Sequence, residues 1–393
     1  MDTVALQSRR VVSAMRPTGK LHLGHYHGVL KHWVKLQHEY DCFFFVADWH
    51  ALTTHYETSD IIEDSVWDMV IDWIAAGIEP SAVTLFLQSK IPEHAELHLL
   101  LSMITPASWL EQIPSYKDLK EKSQSTYGFL GYPLLQSSDI LMYRAGQVPV
   151  GEDQVAHIEL TREIARRFNH IYGREKDFEE KAEEALKKMG KKNALLYSNL
   201  RKAYMEQGET EALETARALL NDQQNLALGD TERLFGYLEG NGKIILPEPH
   251  ALLTSSAIIA GLDGQKMSKS AHNTITLRDS EDIIAQKINS LPTSPNTLNK
   301  CPVCQLYELY SNADPAESQQ EACGAPGSHC VDGKDSLIDL INTELKPIRE
   351  RAEELSEHPE DIRRIIEDGS EAAREVARDT LEEVREAMGL SYK

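Results

Sequence analysis

Apolar residues in the N-terminal part of the chain alternate between compact runs and spaced stripes, the pattern of strands exchanged with helices. Val11-Val12-Ser13-Ala14-Met15 is a short apolar run that predicts a strand; a Pro-Thr-Gly turn follows, and Val29, Leu30, Trp33 and Val34 return at helical spacing. Cys42 to Ala47 is a second continuous run, and Ile62, Val66, Met69, Val70, Trp73 and Ile74 stripe one face of the next helix, with Gly77 placed to stop it. Val83 to Leu87 is a third strand, apolar throughout, as strands covered by helices on both faces are. The predicted class is α/β, a doubly wound, Rossmann-like parallel sheet.

Beyond Phe168 the texture changes. The stretch from Arg174 to about residue 242 is rich in Glu, Lys, Ala and Leu and carries the basic run Lys187, Lys188, Lys191, Lys192. It reads as an all-helical insertion in which segments around Leu195–Tyr204 and Glu211–Leu220 pair antiparallel. Strand and loop return from Ile244, and from about Glu281 to Lys393 the chain is helical, with Leu337, Ile338, Ile341 and Leu345 lining one face. The expected organisation is an α/β domain over 1–280, interrupted at about 174–242, and a helical domain over 281–393.

Composition narrows the partners. The 393 residues carry 41 Lys and Arg against 62 Asp and Glu, a net charge of −21, which excludes wholesale coating of nucleic acid but leaves room for a locally basic interface. No apolar stretch is long enough to cross a bilayer, and Met1 to Arg10 has no secretory pattern, so a cytoplasmic location is expected. Five cysteines are too few for a disulfide scaffold of this size, yet Cys301, Cys304, Cys323 and Cys330 share one window. Cys42, inside a predicted strand, reads as core.

Two segments concentrate candidate chemistry. Met15 to His25 joins the first strand to the first helix, at the carboxyl end of the sheet where ligands of open parallel sheets bind. There Gly24 lets backbone approach a phosphate, and His22 and His25 can donate to phosphoryl oxygens. In Gly264-Gln265-Lys266-Met267-Ser268-Lys269-Ser270, compact ammonium groups and small hydroxyls suit a triphosphate, on a Gly-rich stretch expected to be mobile.

His22-Leu23-Gly24-His25 and Lys266-Met267-Ser268-Lys269-Ser270 resemble the two signatures of class I aminoacyl-tRNA synthetases, in the same order and on the same element types. Between them, Gly131-Tyr132-Pro133-Leu134-Leu135-Gln136-Ser137-Ser138-Asp139-Ile140-Leu141 and Val148-Pro149-Val150-Gly151-Glu152-Asp153-Gln154 resemble the amino-acid pocket and nucleotide strings of tryptophanyl-tRNA synthetases. The resemblance covers Val11 to Asn169 and Ile258 to the C-terminus. It implies activation of L-tryptophan by ATP with Mg2+ and transfer of the tryptophanyl group to tRNA(Trp), in a homodimer, with 1–280 as the catalytic domain and 281–393 as the anticodon-binding domain.

By that resemblance His22, His25, Lys266 and Lys269 are catalytic. Arg16, Pro17, Thr18, Gly24, Lys122, Gly151, Glu152, Asp153, Ile258, Met267, Ser268 and Ser270 join His25, Lys266 and Lys269 around ATP. Tyr132 and Gln154 resemble the residues that hold the α-amino group, with Gln136 and His50 near the pocket. Indole has one polar handle, an N–H that only donates, and Asp139 is the candidate acceptor. The chain departs from the family pattern at Arg16, where many members have Gln, at Val12, where Phe is common, and at Gln136, where Met is usual.

Some members hold a 4Fe-4S iron-sulfur cluster with an early Cys and a Cys-x6-Cys-x2-Cys run. Cys301, Cys323 and Cys330 match three places, Gly333 stands in the fourth, and Cys304 is the nearest substitute. Zinc and free thiols are the alternatives. Lys346, Arg349, Arg351 and the insertion lysines are candidate tRNA contacts. A small-molecule nucleotidylyltransferase and a non-catalytic tRNA-binding protein are the competing functional readings.

Overall fold

The computed structural model describes residues 9–114, 116, 126–174, 176–207, 209–223, 225–253, 259–291, 302–307, 309–310 and 331–392. β1 (Arg10–Met15) leads into α1 (Leu23–His25), a π-helical turn over Tyr26–Leu30, and α2 (Lys31–Leu36). β2 (Asp41–Val46) is followed by α3 (Asp48–His55) and α4 (Asp60–Ala75). After β3 (Val83–Leu87) come α5 (Glu93–Ser102), α6 (Ala107–Glu111), α7 (Tyr127–Leu130) and α8 (Tyr132–Met142). β4 (Gln147–Val150) leads into α9 (Val155–Tyr172). Four helices then precede β5 (His250–Leu253): α10 (Phe178–Lys188), α11 (Lys191–Gln207), α12 (Thr210–Asn221) and α13 (Leu228–Leu238). The last elements are α14 (Glu281–Asn289), α15 (Pro302–Tyr307), α16 (Val331–Ser356) and α17 (Pro359–Ala387).

The strands are all parallel, in the order β3-β2-β1-β4-β5. Strand order reverses between β1 and β4, and the loops leaving their carboxyl ends, after Met15 and after Val150, flank the crevice where such sheets bind ligands. The doubly wound expectation is met because successive residues feed two cores. Val11, Phe44 and Leu85 face one core with Trp33 and Trp73, while Val12, Phe43, Phe45 and Phe86 face the other with Ile140 and Phe168. Trp33 stacks on Phe44 at 4.2 Å and meets Trp73 edge-on at 5.1 Å, all three inaccessible to water. Each such ring contributes roughly 1.5–3 kcal/mol of burial.

The C-terminal helices share these cores. Leu337, Ile341 and Leu345 of α16 join the first, and Ala373, Ala377 and Leu381 of α17 join the second. The insertion instead has its own small core, in which Ala182, Tyr197, Ala216 and Leu234 meet. It is tied back through buried Arg144, which pairs with Glu232 of α13 and Glu383 of α17. Helical spacing around Val29–Val34 predicts one continuous helix; the structure interrupts it with the π-turn, a feature found disproportionately at functional sites.

β3 lies at the edge of the sheet, and α17 covers it. The approach is close at Gly369, where an added Cβ would lie 1.9 Å from the Leu85 carbonyl oxygen. Replacing a mid-helix glycine with alanine ordinarily stabilises by about 1 kcal/mol. Gly369→Ala is expected instead to destabilise by ~1–3 kcal/mol, read as a lower denaturant midpoint. An unchanged or raised midpoint would contradict this packing.

Candidate active site

The first signature begins where the β1 loop turns into α1. The Gly24 N–H donates to His22 Nδ1 (3.1 Å), and the His22 N–H donates to His25 Nδ1 (3.3 Å), a reciprocal capping box. Both Nδ1 atoms are therefore acceptors, which assigns the proton of each neutral ring to Nε2. Burial, reinforced by Lys269, lowers His22 to about 4; burial, His22 and Lys269 push His25 well below its usual value. At neutral pH the pair is thus two uncharged imidazoles, ring centroids 3.9 Å apart, each with one N–H to donate. Glycine at 24 serves the His22 ring itself, since a Cβ there would sit 2.9 Å from two of its atoms.

The second signature is brought alongside by backbone pairing. The Leu23 N–H donates to the Ile275 carbonyl (3.0 Å) and the Leu277 N–H to the Leu21 carbonyl (3.1 Å), with His22 opposite Thr276. Arg278, next along, is anchored on α4 by Asp72 (2.5 Å) and Asp68 (3.0 Å). The Gly-rich stretch forms a turn held by its own hydrogen bonds. Met267 donates to the Ile259 carbonyl, and buried Asn273 accepts from the Ser268 N–H (2.8 Å) while donating to Asp263 (2.6 Å) and the Lys266 carbonyl (3.2 Å). The Met267 side chain packs into the core, while Ser268 and Ser270 hydroxyls lie 3.4 Å apart.

Lys269 closes the arrangement. Its Nζ donates to the Gly19 carbonyl (2.7 Å) and reaches Thr18 Oγ1 at 3.5 Å, so the ammonium rests in the loop that carries the imidazoles. Burial and neighbouring Arg16 bring it down to about 8. Arg16, exposed at the end of β1, also acts electrostatically on Tyr132 of α8. Pro17 is buried beneath. Gly151 opens the turn after β4, with Glu152 and Asp153 exposed and Gln154 donating to Asp153 (3.2 Å).

Asp139 lies mid-helix in α8 and is 2% exposed. The sequence names Asp139 as the candidate acceptor for an indole N–H; in the structure both of its oxygens are engaged by protein donors. His94 Nδ1 donates to Oδ1 (2.5 Å), His50 Nε2 to Oδ2 (2.8 Å), and the Gln88 amide spans both at 3.0 Å. Tyr143 in turn donates its hydroxyl to His94 Nε2 (2.6 Å). Burial would raise the Asp139 carboxyl, but the His50 and His94 hydrogen bonds outweigh it and hold the group at about 2. The His50 ring packs edge-on against Tyr132 at 4.3 Å, and Gln136 accepts from His157 (2.6 Å).

Gln88, His94, Tyr143, Asn273 and Arg278 were not singled out by sequence. Gln88 had one signal, its place just past the carboxyl end of β3, and His94 another, its spacing four residues before His98 on α5. Lys122, Ile258, Cys301, Cys323 and Cys330 lie outside the described residues. Cys304, the remaining proposed cluster ligand, is buried in the core and disulfide-bonded. A thiolate donor set for iron-sulfur or zinc is therefore not assembled among the described residues. The one His, Asp and Glu group close enough to share a cation there is His358, Glu360 and Asp361, at the start of α17. Arg349, a candidate tRNA contact, is engaged with the Asp279 carbonyl (3.2 Å) and Glu281 (3.4 Å).

Comparison with known proteins gives a consistent result. The profile of "tRNA synthetases class I (W and Y)" matches residues 6–194 and 213–357. The tryptophan–tRNA ligase of Ralstonia nicotianae is 59% identical over 98% of this chain and 99% of its own. That of Thermotoga maritima is 38% identical over 98% and 100%. Among solved structures, the tryptophanyl-tRNA synthetase of Campylobacter jejuni, complexed with ADP and tryptophan, superposes with a TM-score of 0.70 at 26% identity, covering 97% of this chain and 100% of that one.

The tight fit of Gly24 against the His22 ring yields a direct test. Gly24→Ala is expected to displace the imidazole and lower the catalytic rate about 100-fold with little loss of folding stability. Wild-type turnover in a folded Gly24→Ala protein would contradict the assigned geometry.

Proposed function

We propose how the site works from one premise: the chain belongs to the class I tRNA synthetases for tryptophan and tyrosine and has the function of a tryptophan–tRNA ligase. The reaction joins the carboxylate of L-tryptophan to the α-phosphorus of ATP with loss of pyrophosphate, then passes the tryptophanyl group to the 3′ end of tRNA(Trp). No covalent enzyme intermediate is required, so catalysis is positioning and charge stabilisation. The observation that carries the reading is Lys269 resting on the Gly19 carbonyl, inside the loop that presents His22 and His25. A phosphate oxygen, being charged, is a stronger acceptor than that carbonyl and takes its place.

In this reading the Nε2–H groups of His22 and His25 stabilise the phosphoryl oxygens as negative charge moves off the α-phosphorus. Lys266, Lys269, Ser268 and Ser270 take the departing pyrophosphate, with Lys122 as a further contact. Arg16, Pro17, Thr18, Gly24, Gly151, Glu152, Asp153, Ile258 and Met267 frame the nucleotide, which brings Mg2+ with its phosphates. Arg16 meets the tryptophan carboxylate and α-phosphate, supported by its electrostatic reach to both Tyr132 and Lys269. Tyr132 and Gln154 hold the α-amino group. Asp139, ionised, receives the indole N–H, and the Gln88 amide gives up one of its two bonds to make room; His50 and Gln136 complete that side.

Residues 281–393 serve as the tRNA anticodon-binding part, and the enzyme works in the cytoplasm. Among the described residues no helix is long and apolar enough to cross a membrane. A second copy docks on the face formed by α3, α5 and α7. Leu52, Tyr56, Leu99, Met103 and Tyr127 are exposed there beside an open, largely apolar groove of about 480 Å³.

Exchange of labelled pyrophosphate into ATP tests the reading. It is expected to depend on tryptophan and to fail with tyrosine or phenylalanine; equal exchange without any amino acid would point to a nucleotidylyltransferase instead. Lys269→Ala is expected to cut exchange about 100-fold or more while the KM for tryptophan stays within about twofold. The lowered Lys269 also sets a pH limb. As pH rises through about 8 the free enzyme loses the cation, so kcat/KM for ATP falls, and Lys269→Arg abolishes that fall within the working range. An alkaline limb that survives in Lys269→Arg would assign it elsewhere.

A further inference from the structure

The segment that follows His25 is gripped from the C-terminal part of the chain. Glu344, on α16, places Oε2 3.1 Å from His27 Nε2 and Oε1 2.5 Å from Lys31 Nζ. The contact is sheltered, with the His27 side chain 7% and the Glu344 side chain 20% exposed. Burial would raise the Glu344 carboxyl, but His27 and Lys31 outweigh it and hold it at about 2. Aromatic rings close the cluster: Tyr310 meets His27 edge-on at 5.4 Å, and the Lys31 ammonium lies 5.1 Å over the Tyr26 ring. None of these groups has a part in the chemistry described above.

His27 stands two residues beyond His25, within the π-turn that continues α1. The His25 ring lies 3.9 Å from that of His22, so a displacement of the turn carries the imidazole pair with it. The two side chains clamped by Glu344 sit on consecutive helical segments, one inside the π-turn and one just past it. A sheltered carboxylate within ion-pair distance of two side chains, at 3.1 and 2.5 Å, restrains a segment that lacks regular α-helical bonding.

We propose that Glu344 is a positioning residue for adenylate formation: by holding His27 and Lys31 it fixes the π-turn, and through it sets His22 and His25 against the triphosphate. The proposal rests on the reading of those two imidazoles as phosphate donors. It gives the C-terminal helices a direct mechanical hold on the nucleotide site.

The test uses the full-length protein, tryptophan-dependent pyrophosphate exchange and thermal unfolding. Glu344→Ala is expected to lower the kcat of exchange about tenfold or more. The KM for tryptophan should stay within about twofold, a split that a general loss of structure would not give. Glu344→Gln, which keeps the shape and can accept from Lys31, falls between. Lys31→Met lowers kcat in the wild type and adds little to Glu344→Ala, because the two substitutions remove one interaction. A folded Glu344→Ala protein with wild-type kcat overturns the proposal, and so do independent, additive losses from Glu344→Ala and Lys31→Met. If Glu344→Ala does not fold, Glu344→Gln against Lys31→Met gives the same comparison. His25→Asn separates the two levels. Intact exchange in His25→Asn overturns the reading of the imidazoles and the proposal with it, whereas lost exchange there beside normal kcat in Glu344→Ala overturns the clamp alone.

Discussion

Two backbone hydrogen bonds hold the active site together. Leu23 to Ile275 and Leu277 to Leu21 pair segments that lie at opposite ends of the catalytic sequence, and they fix which side chains face one another. With His22 set opposite Thr276, the imidazoles and the Lys269 ammonium necessarily occupy one crevice. The pairing is secured from below by Arg278 on Asp72 and Asp68, and from within the turn by Asn273. Without it the two signatures would be separate loops, with nothing in the backbone to hold them together.

Crowding follows from that pairing, and crowding decides the charges. Burial, with each other and the Lys269 ammonium alongside, lowers both imidazoles, so they stay neutral donors with tautomers set by the capping box. The cation resting in the imidazole loop is therefore the lysine, lowered by burial and Arg16 but still protonated near neutrality. Across the crevice the reverse holds. Asp139 is deep enough to be neutral on burial grounds, yet the His50 and His94 donors keep it ionised. In the proposed reading, one side of the site meets negative charge as it develops and the other presents an acceptor to a group that only donates.

The sheet was legible because parallel strands buried on both faces read as unbroken apolar runs, as in Val11–Met15 and Val83–Leu87. The two signatures were legible because their residue types suit a triphosphate and their positions follow a strand end and a Gly-rich turn. The partners that make them work were not. Gln88, His94, Arg278 and Glu344 act through residues distant in sequence, and only Gln88 and His94 carry a faint local signal; Asn273 works within its own turn. The π-turn was hidden for a different reason: its apolar spacing matches that of an ordinary helix, and the extra backbone residue is taken up where His27 meets Glu344. Asp139 was named from the sequence as an acceptor, but its engagement by three protein donors depends on α3, α5 and the end of β3 converging on α8.

The most direct measurement is a crystal structure of the protein with tryptophan and a non-hydrolysable ATP analogue. The account predicts the triphosphate lying between the His22 and His25 rings and the Lys269 ammonium, with Lys269 transferred from the Gly19 carbonyl to a phosphate oxygen and the pairing of Leu21–Leu23 with Ile275–Leu277 intact. A nucleotide bound elsewhere, with Lys269 still on Gly19, would contradict it.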